Sequence, residues 1–178
     1  MTELAVDTIG ARIKAARRDR GIRSIRSFAE LLDDPFLTES VLENIEAGRK
    51  ADLPISAVLN IAFALKVPLS LLLAPLSDSS LPVDLPNLSN GLRDMSPAEF
   101  DGWLSGDDAG RYRSRSALER EDLAELRAFR EIQRIRREIE RERVMGSISN
   151  DAGLSRLQFL ESELDSLLGF LRSAGWLI

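Results

Sequence analysis

Seven basic side chains lie between Arg12 and Arg26: Arg12, Lys14, Arg17, Arg18, Arg20, Arg23 and Arg26, against Asp19 alone. A cluster of this kind can meet an array of phosphates, because each cation placed on a polyanion releases condensed counterions. A second stretch, "TESVLENIEAGRK" from Thr38 to Lys50, ends in two more cations, Arg49 and Lys50. Its polar side chains Thr38, Glu39, Ser40, Glu43 and Asn44 are types that hydrogen-bond to base edges. A carboxylate accepts from cytosine N4, and an asparagine amide reads adenine. Each feature also has a plainer reading. A charge run is usually a solvated surface, and Glu39, in a first helical turn, stabilises the positive helix end whether or not it reads a base.

Composition narrows the other chemistry. The chain has neither His nor Cys, which removes the commonest general base, the commonest metal ligand, thiolate nucleophiles and disulfides. Carboxylate, Ser–Lys or magnesium-dependent chemistry remains. No glycine-rich phosphate loop is present; "GARIKAARRDRG" has the pattern of a helix rather than of a P-loop. The lysines are Lys14, Lys50 and Lys66, so the C-terminal part cannot supply a Ser–Lys dyad. The expectation is a protein that is not an enzyme, with no cofactor and no metal. The formal net charge of −5 attracts no polyanion globally, so the placement of the charges decides. The N-terminus lacks the apolar core of a signal peptide. The longest apolar run, "VPLSLLLAPL", contains two prolines and is too short to span a bilayer. A cytoplasmic chain with no membrane association is expected.

The elements that must position these residues follow helical spacing throughout. No segment alternates with period two, so the expected fold is all-α. Residues 1–75 read as five helices. Ile9, Ile13 and Ala16 mark the first, which Gly21 stops. Ser24 caps a second, holding Phe28, Leu31 and Leu32, and "DDPF" breaks it at Pro35. Thr38 caps a third, with Val41, Leu42 and Ile45 inward and Gly48 past its end. Glu46 is expected to serve the fold near that glycine. Pro54 opens a fourth, presenting Val58, Ile61, Ala62 and Leu65, and "VPLSLLL" forms a short fifth. Residues 76–114, rich in Ser, Pro, Asp and Gly, read as a linker. One short helix can form there, capped by Ser96 with Pro97 at its first position, and Phe100, Trp103 and Leu104 docking; the plainer reading, a loop pinned to the body by a few apolar residues, is the favoured one.

Residues 115–178 read as a long helical hairpin. Its first stripe is Leu118, Leu123, Leu126, Phe129, Ile132, Ile135 and Ile139; "GSISNDAG" (146–153) interrupts it. Leu157, Leu160, Leu164, Leu167 and Leu171 then follow heptad spacing. Folded only on each other, such helices leave Ile132, Ile135, Ile139 and the leucine seam partly wet, which favours a homodimer through 115–173. The alternative is a monomer whose hairpin packs back on the first domain, with Phe100 and Trp103 in the joint.

A helix, a break and a second helix over 24–47 form a helix-turn-helix pattern, and the first 75 residues resemble the Xre-type (Cro/C1-like) family of helix-turn-helix transcriptional regulators. The resemblance rests on "IGARIKAARRDRG", "SFAELL", "VLENIEAGRK" and "LNIAFALKVPLSLLL". Two features depart from the family pattern: Ile25 stands where Gln is usual, and "DDPFL" lengthens the turn. The resemblance implies double-stranded DNA as partner, base contacts from Thr38, Glu39, Ser40 and Glu43 with Asn44 beside them, and phosphate contacts from Arg12, Lys14, Arg17, Arg18, Arg23, Arg26, Arg49 and Lys50. The implied role is a sequence-specific regulator, a repressor acting by promoter occlusion in a phage or a host. The rival is a protein-interaction module or antitoxin-like adaptor whose helical tail binds a partner protein.

Overall fold

A computed structural model describes residues 8–78, 80–107, 110–144 and 151–178. The chain is all-α and divides into two compact units, Met1–Arg113 and Ser114–Ile178.

In the first unit α1 (Ile9–Asp19), α2 (Ile25–Leu32), α3 (Glu39–Glu46), α4 (Ile55–Leu65) and α5 (Leu69–Leu73) surround one core. Local chemistry sets their ends. The hydroxyls of Thr8 and Ser24 accept hydrogen bonds from the backbone N–H of Ala11 and Ser27, 3.2 and 3.0 Å away, so each supplies one of the acceptors a helix start lacks. Gly21 and Gly48 take φ of 75° and 71°, the left-handed region open to glycine without penalty. The helix α2 ends on Asp33, also left-handed at φ 47°, two residues before Pro35. The core is built from Ile9, Ile13, Phe28, Leu42, Ile45, Ile61 and Leu65, all buried, each contributing about 1.5–3 kcal/mol by leaving water. Of the side chains expected to face inward from α2, Leu31 is exposed instead.

Gly10 fixes how closely α1 approaches α3. A Cβ at this position would stand 2.0 Å from the carbonyl oxygen of Ile45, so only a glycine permits this backbone-to-backbone seat.

The stretch read as a linker is packed. Ala74, Val83, Met95, Phe100 and Tyr112 form a second buried cluster, bordered by Leu85, Leu88, Leu92 and Leu104. The irregular spacing of these residues gives no periodic signal, so composition alone suggests a loop. The chain makes two helices here, α6 (Asn90–Arg93), which was not anticipated, and α7 (Pro97–Ser105). Ser96 caps α7 with Pro97 at its start, and Glu99 completes a capping box by accepting from the Ser96 N–H at 2.9 Å. Phe100 is buried, and the exposed Trp103 stacks at a tilt with its centroid 5.8 Å from that of Phe100.

The second unit is a pair of long helices, α8 (Ala117–Val144) and α9 (Asp151–Ser173). Of the expected interruption, residues 146–150 lie outside the described residues, and 151–153 belong to α9. The leucine pattern marks a buried face and so cannot locate where a helix begins. Ile132, Ile135, Ile139, Leu160, Leu168 and Leu171 are buried, in clusters drawn from this unit. The expectation that the isoleucines stay partly wet is therefore corrected: α8 and α9 cover them with side chains of one chain, helped by Ala128 and Leu168, whereas in the leucine seam Leu160 and Leu171 are buried and Leu157, Leu164 and Leu167 stay half-buried. Leu118 is not part of this core; it is 73% exposed. Beyond Gly175 (φ 93°) the chain returns to α8, where the Trp176 indole donates to Glu125 at 2.6 Å and its ring lies 5.6 Å from that of Phe129.

Candidate nucleic-acid interface

The basic cluster of α1 divides by function once its hydrogen bonds are traced. Arg17 is 4% exposed. Its Nε and Nη2 donate to the two carboxylate oxygens of Glu46 at 2.6 and 2.8 Å, and its Nη1 donates to the carbonyls of Ile22 and Arg23 at 2.5 and 3.1 Å. The Glu46 hydrogen bond raises the Arg17 pKa above its ordinary value, against the opposing effect of burial. One guanidinium thus joins the end of α1, the loop into α2 and the end of α3. Arg17 is withdrawn from the phosphate candidates on this ground: each of its three guanidinium nitrogens already donates within the fold, and the side chain is almost wholly shielded from water. Glu46 serves the fold as expected, with Arg17 as its partner.

Two further arginines act on helix ends. Arg12 donates to the carbonyls of Leu72 and Leu73 at 2.8 and 3.2 Å, at the end of α5. Arg20 donates to those of Leu65 and Lys66 at 3.0 and 3.2 Å, at the end of α4. The last carbonyls of a helix have no partner within it and carry the negative end of its dipole, so a guanidinium is well suited to both. Arg12 is thereby also withdrawn from the phosphate candidates.

The remaining cations face outward. Arg18, Arg23, Arg26, Arg49 and Lys50 are exposed and Lys14 is half-buried. Among the described residues nothing engages the side chains of Lys14, Arg18, Arg23 or Lys50. Arg26 pairs with Glu30 at 3.1 Å on the surface. That hydrogen bond, and then the charges of Glu30 and Glu39, raise its pKa. Arg49 is held by Asn44, its Nε donating to Oδ1 at 2.7 Å.

The helix α3 is set against the core by Leu42 and Ile45, which leaves Thr38, Glu39, Ser40 and Glu43 exposed on its outer side. The Thr38 hydroxyl caps the helix weakly, 3.5 Å from the Val41 N–H. Asn44 is half-buried and turned to the following loop. Its backbone carbonyl accepts from the N–H groups of Arg49 and Lys50 at 2.9 and 3.1 Å, and its side-chain oxygen is taken by Arg49. Bidentate reading of adenine needs that oxygen, so in this arrangement Asn44 shapes the loop that carries the cations. Glu43 lies four residues from Glu39 and three from Ser40, so the three side chains share one outward helical face.

Comparison with protein-family models, curated proteins and solved structures finds no match. The chemistry of this surface therefore rests on its own geometry: four accessible polar side chains on one short helix, and cations on the segments that Arg17 and Glu46 tie to it. Sequence reasoning missed Gly10 and the Arg17–Glu46 pair. The signal for the pair, one arginine in a basic run and one glutamate on an amphipathic helix, becomes visible only when α1 and α3 are brought together.

Proposed function

We propose that the chain is a sequence-specific double-stranded DNA-binding transcriptional regulator, a repressor that acts by occluding a promoter. The observation that carries the reading is the division of the arginines. Arg17 and Glu46 lock α1, the loop into α2 and α3 together, while Arg18, Arg23 and Lys50 on the locked segments stay accessible. A rigid frame with uncommitted cations beside an exposed polar helix face suits a helix-turn-helix module. Phosphate contacts fix its register, and a few side chains address base edges. The phosphate set becomes Lys14, Arg18, Arg23, Arg26, Arg49 and Lys50, and the reading set Thr38, Glu39, Ser40 and Glu43. No catalytic step enters this mechanism. Among the described residues no helix is long and apolar enough to cross a membrane, and a DNA partner implies a cytoplasmic location.

Two copies on a two-fold operator remain part of the proposal. Because the isoleucines are already buried, a dimer through 115–173 has to use other side chains. Phe159, 67% exposed, and Phe170 on α9 are available.

Selection of bound sequences from random duplexes, with sedimentation of the complex, tests the reading. Enrichment of a defined site is expected, with Glu43→Ala relaxing one base pair by about 1–3 kcal/mol. Recovery of unenriched sequence at every salt concentration contradicts it. A second reading, an adaptor that binds protein, is favoured by one observation: Phe36 and Phe63, 83% and 87% exposed on the first unit. A helical partner captured without any DNA affinity selects that reading.

A further inference from the structure

Within the first unit an apolar cavity of about 270 Å³ opens where the two clusters of the unit meet. It is walled by Ile9 of α1, Val58 of α4, Leu73 of α5, Leu104 of α7, Leu85, and Leu53 from the segment after α3. Among the described residues its one charged wall residue is Asp52. Three and two residues upstream lie Arg49 and Lys50, so the cavity wall and the cationic loop are one continuous piece of chain. The Asp52 carboxylate accepts a hydrogen bond from the Asn87 side-chain amide at 3.0 Å, which links this piece to the stretch before α6. Asn87 itself sits at φ 60°, the left-handed region, which a non-glycine residue holds only when its surroundings favour it.

Three features act together. An apolar cavity of this kind favours a molecule that removes its walls from water. A cavity of 150 Å³ accommodates benzene, so this one has space for about ten non-hydrogen atoms. The carboxylate at the wall accepts from Asn87 through Oδ2, and a ligand donor that takes this oxygen competes with Asn87. We propose that the cavity binds a small, mostly apolar molecule of about ten non-hydrogen atoms with one N–H or O–H donor, and that its donor takes Asp52 from Asn87 and loosens the loop carrying Arg49 and Lys50. The binding site stands independently of the DNA-binding reading, whereas its use to lower DNA affinity rests on that reading.

Indole, an aromatic ring system with one N–H, is a fitting probe. Titrated into the full chain and followed by amide chemical shifts, it is expected to give saturable shifts at Leu53, Val58 and Leu104 that extend to Arg49 and Lys50. In 1-methylindole the donor is gone, and it should bind several-fold more weakly to the native chain and equally to Asp52→Ala. Leu85→Trp fills the cavity from its half-buried rim and should weaken indole at least about tenfold while the thermal transition is retained. Saturating indole should weaken DNA binding about fivefold or more, within the usual span of such coupling, and leave Leu85→Trp unaffected. Absence of saturable shifts in the native chain overturns the site, as does unchanged binding by Leu85→Trp. Shifts confined to the cavity walls, without Arg49 and Lys50, overturn the coupling. A chain that binds indole as described but no DNA contradicts the DNA-binding reading and leaves the site standing.

Discussion

The two units employ arginine in opposite ways. In the first, Arg17 is buried and bidentate to Glu46, and Arg12 and Arg20 are bonded to the carbonyl ends of α5 and α4. These guanidiniums determine where helices meet. In the second, the ion pairs lie on the surface. Arg134 pairs with Glu131 and Glu138, Arg143 with Glu161, and Arg156 with Glu138 and Glu142. There the helices are joined by Ile132, Ile135, Ile139, Leu160, Leu168 and Leu171, with the charges outside. A basic side chain read from sequence can therefore be a cornerstone or a solvated ornament of a helix face, and burial decides which. The energetic consequence differs accordingly. An uncompensated buried charge costs several kcal/mol, whereas exposed pairs gain little after screening and side-chain ordering.

The largest effect is expected at the buried pair. Arg17→Ala or Glu46→Ala leaves a charge without its partner and should cost the first unit about 3–5 kcal/mol. Arg17→Met combined with Glu46→Leu should be less harmful than either single alanine. Denaturant unfolding read at Trp103, with Trp176→Phe removing the other tryptophan, reports the first unit. A loss below about 1 kcal/mol for both single variants would make the pair no stronger than a surface one and erase the contrast.

Next comes the apolar core of the second unit. Ile135→Ala should cost about 2–5 kcal/mol, the transfer of the lost methylenes plus the cavity left behind. The matching readout is Trp176 in a Trp103→Phe background. If Ile135→Ala shifts the Trp103 transition, read in the Trp176→Phe background, as far as the Trp176 one, the two units do not unfold as separate cores.

Smaller still is the effect of the surface pairs. Arg156→Ala should change stability little, because solvent and salt screen an exposed pair. The Arg156 hydrogen bond holds the Glu138 carboxyl below its ordinary value of 4.5, and Arg134 lowers that of Glu131. The folded state therefore binds fewer of these protons than the unfolded chain near that value. This stabilisation is complete above it and fades as the pH falls through the lowered values. The second unit should lose a little stability on acidification below about pH 4.5, and Arg156→Ala should lessen the loss. Insensitivity to pH in that window would show that these pairs are not maintained in solution.

Much of the fold was legible because helix ends are local. Ser24, Thr38, Gly21, Gly48 and the Ser96–Pro97 start all act through neighbours three or four residues away, and the apolar repeats of α1, α3 and α4 name their own buried faces. What was hidden is what depends on two distant segments meeting. Gly10 looks like any glycine until α3 lies against it. Arg17 looks like Arg18 until Glu46 arrives. Val83, Met95 and Tyr112 have no period to announce their cluster. On α4, which is apolar nearly all round, sequence identifies the inward Val58, Ile61, Ala62 and Leu65. It cannot foresee that Ile55 and Phe63 stay outside. In the candidate site the outward face of α3 was legible from helical spacing. The sorting of its surrounding cations was not, because a donor count says nothing about which acceptors the fold will bring near.

If the accessible cations, and not the buried one, hold a nucleic-acid backbone, salt should govern the affinity for duplex DNA. The most direct measurement is the salt dependence of duplex binding for the native chain and for Arg18→Ala, Arg23→Ala and Lys50→Ala combined. Steep weakening with salt is expected for the native chain. In the triple variant, selected and random duplexes should both be held more weakly, with the slope of log affinity against log salt flattened by about one per lost contact and the thermal transition kept. An unchanged slope and unchanged affinity in the folded triple variant would contradict that role of the cations.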